Sequence, residues 1–143
     1  MPSASLTRRV SFAAAHRYRR PEWSEARNRE AFGACAHPNF HGHSYTCDVT
    51  LRGPIDPVTG FVVDLGALDG ILAREVRDRF DHRNINLDVA EFADGGLVPS
   101  GENLARFIYE RVEGALRALG ASASVTTVRV AEDATLSASW SCD

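Results

Sequence analysis

The segment HGHSYTCDVTL, residues 41–51, alternates cleanly between apolar and polar side chains. From Tyr45 to Leu51 every second residue is apolar, and the residues between them are polar. Because side chains of a strand point alternately to its two faces, this pattern predicts a β-strand with one buried face. Such a strand is typical of an antiparallel sheet that packs one face against the core.

Further strand signals lie on both sides of this segment. Residues from Leu6 to Phe12 alternate in the same way and predict an earlier strand, whereas the strongly charged residues 17–31 predict an exposed loop with at most a helical turn. After residue 51, the stretch RGPIDPVTG supplies turn residues, and FVVDL, residues 61–65, predicts that a strand resumes. We therefore expect a hairpin with a long connection.

From Leu65 onward the apolar residues recur at helical spacing. A first helix is expected after Asp64, which can cap its N-terminus, and a second helix is expected to end at Gly120. Their apolar positions are Leu68, Ile71, Leu72 and Val76 in the first helix, and Leu104, Phe107, Ile108, Val112, Leu116 and Leu119 in the second. Residues 125–132 and 136–140 predict two closing strands.

The order of strands, two helices and strands predicts an α+β domain, an antiparallel sheet with two helices on one face. The 143 residues suit a single domain spanning 1–143. A sheet in so small a chain has edges, and exposed edges favour pairing with another chain. We therefore expect a homo-oligomer.

Composition excludes several classes of function. Apolar residues make up 44% and charged residues 24% of the chain, as in a soluble globular protein. The net charge of −3 argues against a nucleic-acid partner. All 16 basic residues are Arg, so lysine Schiff-base chemistry and the P-loop lysine are absent. The sequence has no apolar run that would span a membrane and no signal peptide, and its cysteine count is odd, so we expect free thiols and a cytoplasmic protein.

Three histidines form a candidate metal site. His41 and His43 lie two residues apart on a strand, so their side chains share a face about 7 Å apart. His16 is in phase with the apolar positions of the first strand, so pairing of the two strands would bring all three rings together. Three His ligands leave one open position on a tetrahedral zinc, as in a catalytic site. The alternative is three unrelated hydrogen-bonded or surface histidines.

Other residues have side chains suited to proton transfer. Cys35 lies six residues before His41 and can be a metal ligand, a buried small residue, or a nucleophile or base. Asp81 directly precedes His82 in a loop, where the pair can carry protons or simply be solvated. Glu132 lies at the end of a predicted strand, in phase with the apolar side chains of that strand. Unless its carboxylate reaches solvent, it needs a partner or a ligand with adjacent N–H groups.

The motifs that carry these residues follow one another in a recognisable order. They are FAAAHRY (12–18), FGACAHPNFHGHSY (32–45), IDPVTGFVVDL (55–65), FDHRNINLD (80–88), FAD (92–94), ENLARFIYERV (102–112) and VRVAED (128–133). In order and spacing they resemble the 6-pyruvoyl-tetrahydropterin synthase family, which includes 6-carboxytetrahydropterin synthases. The resemblance extends from about Phe12 to Glu132.

The resemblance implies the tunnelling fold, in which subunits join their sheets into trimeric barrels and two trimers stack as a hexamer. Active sites would then lie between subunits. His16, His41 and His43 match the zinc ligands of the family. The proton-transfer group corresponds to Cys35, Asp81 and His82, and the pterin anchor to Glu132.

The resemblance also implies a reaction. The substrate would be 7,8-dihydroneopterin triphosphate, a zinc-dependent lyase would convert it to 6-pyruvoyl-tetrahydropterin, and triphosphate would leave. The five residues between Cys35 and His41 favour this branch. The alternatives are a 6-carboxy-5,6,7,8-tetrahydropterin synthase of queuosine biosynthesis, and a zinc- and pterin-binding paralogue without turnover.

One departure from the family pattern falls near the expected substrate pocket. Relatives usually carry a hydroxyl residue directly before the Glu of the EN motif, whereas this chain has Gly101 before Glu102. We therefore expect Ser100 to replace that hydroxyl, and Ser100 and Glu102 to bind substrate together with Glu132. Phe40, before the HGH motif, is a second departure.

Overall fold

The computed structural model describes residues 2–142. The strands are β1 (Ser3–His16), β2 (His41–Pro54), β3 (Arg83–Asn84), β4 (Ser124–Ala131) and β5 (Ser137–Ser141). The α-helices are α1 (Glu25–Phe32), α2 (Leu65–Leu72), α3 (Asp78–Phe80), α4 (Ile85–Asp88) and α5 (Gly101–Leu119). Two 3₁₀ turns span Gly33–Ala36 and Ala90–Phe92, and a π-helical segment, Ala73–Arg77, joins α2 to α3.

The five strands form one sheet in the order β3-β1-β2-β4-β5. The pairs β1–β2, β2–β4 and β4–β5 are antiparallel, and β3 pairs in parallel with the end of β1. The predicted α+β class and antiparallel sheet are therefore confirmed, with a parallel strand of two residues added at one edge.

The hydrogen-bonded ladder between β1 and β2 places the end of β1 next to the start of β2. It runs from the pair Ser3 and Pro54 to the pair His16 and His41 without a break in register. The face of this ladder that carries Phe12 and Tyr45 is buried. The first strand is longer than predicted at both ends, because β1 pairs along the whole of β2.

Helices α2 and α5 cover the buried face of the sheet, as predicted. Asp64 accepts a hydrogen bond from the amide of Ala67 and caps α2, and Gly120 ends α5 with φ 75°. The large side chains that these two helices place in the core are Leu68, Ile71, Leu72, Leu104, Phe107, Ile108, Val112 and Leu116, whereas Leu119, expected on the same apolar face, is 55% exposed. Each of the buried side chains contributes about 1.5–3 kcal/mol by leaving water.

Residues 61–64 do not form the predicted strand. The preceding loop closes on Asp56, whose amide donates to the carbonyl of Phe61 and whose carboxylate accepts from the amides of Val58 and Thr59. The chain then enters α2 through the Asp64 cap. The apolar run FVVDL thus leads into a helix, and the expectation of a hairpin here is wrong.

The charged segment 17–31 holds more structure than predicted. Its second half forms most of α1, which Ser24 caps by accepting from the amide of Arg27. Asn28 is the buried residue of this helix, and its side-chain amide donates to the carbonyl of Arg20. Within residues 2–142 no helix has both the length and the apolar character needed to cross a membrane.

Candidate metal centre and active site

Three histidines meet where β1 ends and β2 begins. His16 pairs with His41 across the ladder, and His43 follows two residues later on β2. Ring centroids are 4.6 Å apart for His16 and His41, 5.1 Å for His16 and His43, and 5.0 Å for His41 and His43. One ligand nitrogen from each ring lies within 4.8 Å of the others. The prediction that strand pairing would bring these side chains together is confirmed.

Two contacts at Nδ1 hold the His16 ring in place. The ring is fully buried, and its Nδ1 lies 2.8 Å from the carbonyl oxygen of Pro99 and 3.1 Å from the hydroxyl of Tyr45. Nδ1–H donates to Pro99, which leaves Nε2 as the ligand atom; such contacts commonly orient metal-binding histidines. Burial, together with the nearby His41 and His43, lowers the pKa of His16 to about 4, so the ring is neutral at pH 7.

The surroundings of the His43 ring indicate whether a metal ion fits the cluster. Its Nε2 is buried and has no hydrogen-bond partner in the described part of the chain. A buried polar atom left unpaired costs about 1–3 kcal/mol. Coordination would remove that cost, and three imidazole side chains are a donor set that zinc accepts while keeping one position open. The residues present therefore fit a divalent metal of the zinc type.

Glu132 faces the histidine cluster from the end of β4. Only 8% of the residue is exposed. Its Oε2 lies 3.6 Å from Nε2 of His43, and its Oε1 accepts a hydrogen bond of 2.9 Å from the hydroxyl of Tyr18. Of the two alternatives for Glu132, a partner or solvent, the structure thus shows a buried carboxylate with the Tyr18 hydroxyl as its hydrogen-bond partner. Its two oxygens keep lone pairs that can accept from a ligand with adjacent N–H groups.

A small pocket opens beside Glu132. It encloses about 40 Å³ and is lined by Tyr18, Gly101, Glu102, Val130, Glu132, Leu136, Ser137 and Ala138. Small-molecule sites usually enclose roughly 300–1,000 Å³. This pocket therefore accommodates the edge of a ring rather than the whole of it.

Ser100 and Glu102 differ in their relation to this pocket. Glu102 lines it, as expected for a substrate-binding residue. The hydroxyl of Ser100 instead accepts from the amide of Asn103 and caps α5. A substrate role for Ser100 stays a prediction, and its hydroxyl already has a structural partner.

Cys35 lies in the 3₁₀ turn between α1 and β2 and is partly exposed. Its carbonyl oxygen accepts a hydrogen bond of 2.8 Å from the amide of Tyr18, so the turn is joined to the chain that leaves β1. Cys47 is fully buried on β2, as its strand phase predicts, and burial raises the pKa of its thiol to about 12. Cys35 is thus the partly exposed thiol held next to the segment that follows His16.

Asp81 and His82 form a pair at the edge of the sheet. Asp81 Oδ2 lies 3.0 Å from His82 Nδ1, and its Oδ1 accepts from the amide of Ala13, which holds the pKa of the carboxyl below its usual range. The His82 side chain is 84% exposed. Within residues 2–142 no hydrogen bond or ion pair joins this pair to Cys35 or to the histidine cluster.

Sequence reasoning missed several residues that support the site. Tyr18 and Tyr45 are each two residues from a predicted ligand, so strand alternation could have identified them as neighbours of the cluster. Asn86 is 6% exposed. Its side-chain amide accepts a hydrogen bond from the backbone amide of Arg17 and donates one to the backbone carbonyl oxygen of Arg17. Nothing in the local pattern around Asn86 indicates this contact, which fixes the chain directly after His16.

Comparison with known proteins places this geometry in a family. The family model described as 6-pyruvoyl tetrahydropterin synthase matches residues 5–142. The 6-pyruvoyl tetrahydrobiopterin synthase of Drosophila melanogaster is 43% identical over 112 residues, 78% of this chain and 65% of the fly protein. The matched region thus spans about two thirds of that relative.

A structure and a second type of relative extend the comparison. The structure of Caenorhabditis elegans 6-pyruvoyl tetrahydropterin synthase gives a TM-score of 0.90 at 33% identity and covers 100% of this chain and 98% of that one. The 6-carboxy-5,6,7,8-tetrahydropterin synthase of Bacillus subtilis (strain 168) is 32% identical over 109 residues, 75% of this chain and 70% of its own. With its family motifs, its fold and the match over nearly its whole length, the chain belongs to the 6-pyruvoyl tetrahydropterin synthase family.

Proposed function

We propose that this chain is a zinc-dependent carbon–oxygen lyase that converts 7,8-dihydroneopterin triphosphate into 6-pyruvoyl-tetrahydropterin and triphosphate. The observation that carries the proposal is the convergence of three imidazoles and one buried carboxylate at one end of the sheet. Family membership supplies the reaction type.

His16, His41 and His43 would hold the zinc ion. Burial keeps His16 neutral and also lowers the pKa of His41, and the unpaired Nε2 of His43 completes the donor set. When bound, zinc supplies a Lewis acid that acidifies the C–H and O–H groups of the substrate side chain.

Glu132 would orient the pterin ring. The ring presents an N–H next to an amino group, and two parallel N–H···O bonds to one carboxylate fix both position and angle. The burial of Glu132 and the small pocket that opens beside its carboxylate support this assignment. Glu102 and Ser100 would contribute further contacts on the same side.

Cys35, Asp81 and His82 would move the protons. Cys35 as a thiolate would take a proton from the substrate side chain, and His82, held by Asp81, would return one. Because the 84% exposed His82 forms no hydrogen bond or ion pair with Cys35 within the described residues of one chain, we assign the Asp81–His82 pair to the active site of a neighbouring subunit.

A homohexamer of two trimers would bring the two halves together. Its contacts would form along the sheet edges: β5 pairs only with β4 in the described residues, and β1 has no second neighbour before Ala14. We place the protein in the cytoplasm, because its three cysteines are free thiols, and we expect no nucleic-acid partner at a net charge of −3.

The 6-carboxy-5,6,7,8-tetrahydropterin synthase reaction of the queuosine route is the alternative. The Bacillus relative with that name is 32% identical, against 43% for the fly pyruvoyl enzyme. The five-residue gap between Cys35 and His41 also favours the pyruvoyl branch.

Product analysis separates these reactions. Zinc-loaded protein is incubated with 7,8-dihydroneopterin triphosphate, and the products are identified by mass spectrometry. We expect 6-pyruvoyl-tetrahydropterin and triphosphate, with turnover lost in Cys35→Ala and retained in Cys142→Ala, whose exposed thiol contacts the hydroxyl of Tyr109. A 6-carboxy product with acetaldehyde would establish the alternative, and zinc binding without turnover would indicate a pterin-binding paralogue.

A further inference from the structure

Tyr18 touches three separate parts of the proposed site. Its hydroxyl donates to Oε1 of Glu132 over 2.9 Å, and its amide donates to the carbonyl of Cys35 over 2.8 Å. Its ring meets the His16 ring edge-on with centroids 5.0 Å apart. One residue therefore links the metal cluster and the carboxylate at the pocket through its side chain, and the thiol turn through its backbone amide.

Few other side chains around the pocket could hold the Glu132 carboxylate by a hydrogen bond. Gly101 carries no side chain, and a Cβ there would lie only 3.1 Å from Cβ of Ala138. The hydroxyl of Ser100 is occupied in capping α5. Among the described residues, the hydroxyl that bonds the Glu132 carboxylate is that of Tyr18.

The distance between Glu132 and the histidines makes its orientation matter. Oε2 lies 3.6 Å from Nε2 of His43 and Oε1 lies 4.0 Å from Nε2 of His16, so the carboxylate borders the metal cluster. There it could occupy the open position of a three-histidine metal. A carboxylate bound to metal would no longer present both oxygens to a ligand with two adjacent N–H groups.

We propose that Tyr18 is a positioning residue, whose hydroxyl holds Oε1 of Glu132 so that the carboxylate stays available to the pterin edge instead of coordinating the metal that it borders. The assignment rests on the proposed function, because it takes a pterin as the ligand of Glu132. Tyr18 acts through Glu132 and needs no contact with the reacting atoms.

A double-mutant cycle tests this role through binding alone. The dissociation constant of a fully oxidised, unreactive pterin is measured for wild type, Tyr18→Phe, Glu132→Gln and the double variant, all loaded with zinc. Phe keeps the ring that packs on His16 and removes only the hydroxyl. We expect Tyr18→Phe to weaken binding about tenfold, as for the loss of one hydrogen bond to a charged group. In the Glu132→Gln background the same change should weaken binding less than about twofold.

Two controls separate this role from general damage. Tyr109→Phe makes the same chemical change at a tyrosine whose hydroxyl contacts Cys142 and whose ring stacks on Trp140, so pterin binding should not change. Zinc content and thermal unfolding are measured for each variant, and Tyr18→Leu serves as a second hydroxyl-free variant.

The outcomes are distinct. Wild-type affinity in Tyr18→Phe, or an equal loss in both backgrounds, would overturn the positioning role while leaving the proposed function intact. A wild-type protein that binds no pterin, or binds it equally well after Glu132→Gln, would overturn the proposed anchor and the role of Tyr18 with it.

Discussion

The buried Nε2 of His43 has no hydrogen-bond partner in the described residues, whereas His16 has two contacts at Nδ1. The site thus contains one ring that is already oriented and one that lacks a partner. A metal ion bound at the cluster would satisfy the second ring. This difference makes His43 the most informative single side chain for the metal prediction.

We predict that His43→Ala abolishes stoichiometric zinc binding, weakening zinc affinity by more than about 100-fold because one of three ligands is lost. The measurement is competition with a chelating dye, supported by metal content after dialysis. His37→Ala is the matched control, since His37 is exposed and lies outside the cluster. Equal zinc binding in the two variants would contradict the assignment of His43 as a ligand.

How far the sequence predicts a side chain depends on the range of its contacts. His16, His41 and His43 were predictable because strand alternation and one pairing register fix their shared face. The bond from Tyr18 to Glu132 joins residues 114 positions apart, and no periodic pattern reports such a contact. Long-range hydrogen bonds depend on the packed structure rather than on local preference.

At the scale of elements, periodic segments were predicted well and segments defined by turns were not. The buried positions of α5 recur at helical spacing, so both the helix and its end at Gly120 were predictable. Residues 61–63 are apolar, yet the chain enters α2 at Asp64, which caps the helix. Helix α1 lacks an apolar stripe, because its buried residue is Asn28.

Ser100 provides a prediction at this scale, because it caps the helix that covers the sheet. Ser100→Ala should lower the free energy of unfolding by about 1 kcal/mol, since an amide of the first turn loses its acceptor. Ser100→Asn retains an N-cap acceptor and should stay within about 0.5 kcal/mol of wild type. Urea unfolding monitored by circular dichroism gives both values. Equal losses in the two variants would show that capping is not what Ser100 contributes.

At the scale of the whole molecule, the question is which residues of the proposed site one chain brings together. The histidine cluster, Glu132 and the Cys35 turn lie together, while the Asp81–His82 pair lies exposed at the edge of the sheet. The pocket encloses about 40 Å³, too little for a whole pterin. Both observations agree with the proposed homo-oligomer, in which a second copy of the chain would complete the site.

Complementation between inactive variants tests this arrangement. Cys35→Ala and His82→Ala are each expected to be inactive, but coexpression with different affinity tags gives mixed oligomers. If Cys35 of one subunit works with His82 of another, random mixing leaves both residues intact in about a quarter of the sites, so about a quarter of wild-type turnover should return. Mixing Cys35→Ala with Cys35→Ser restores no site of this kind and is the control. Mixed oligomers without activity would mean that the proton-transfer groups must come from the same chain, and the exposed pair at the sheet edge would lose its proposed role.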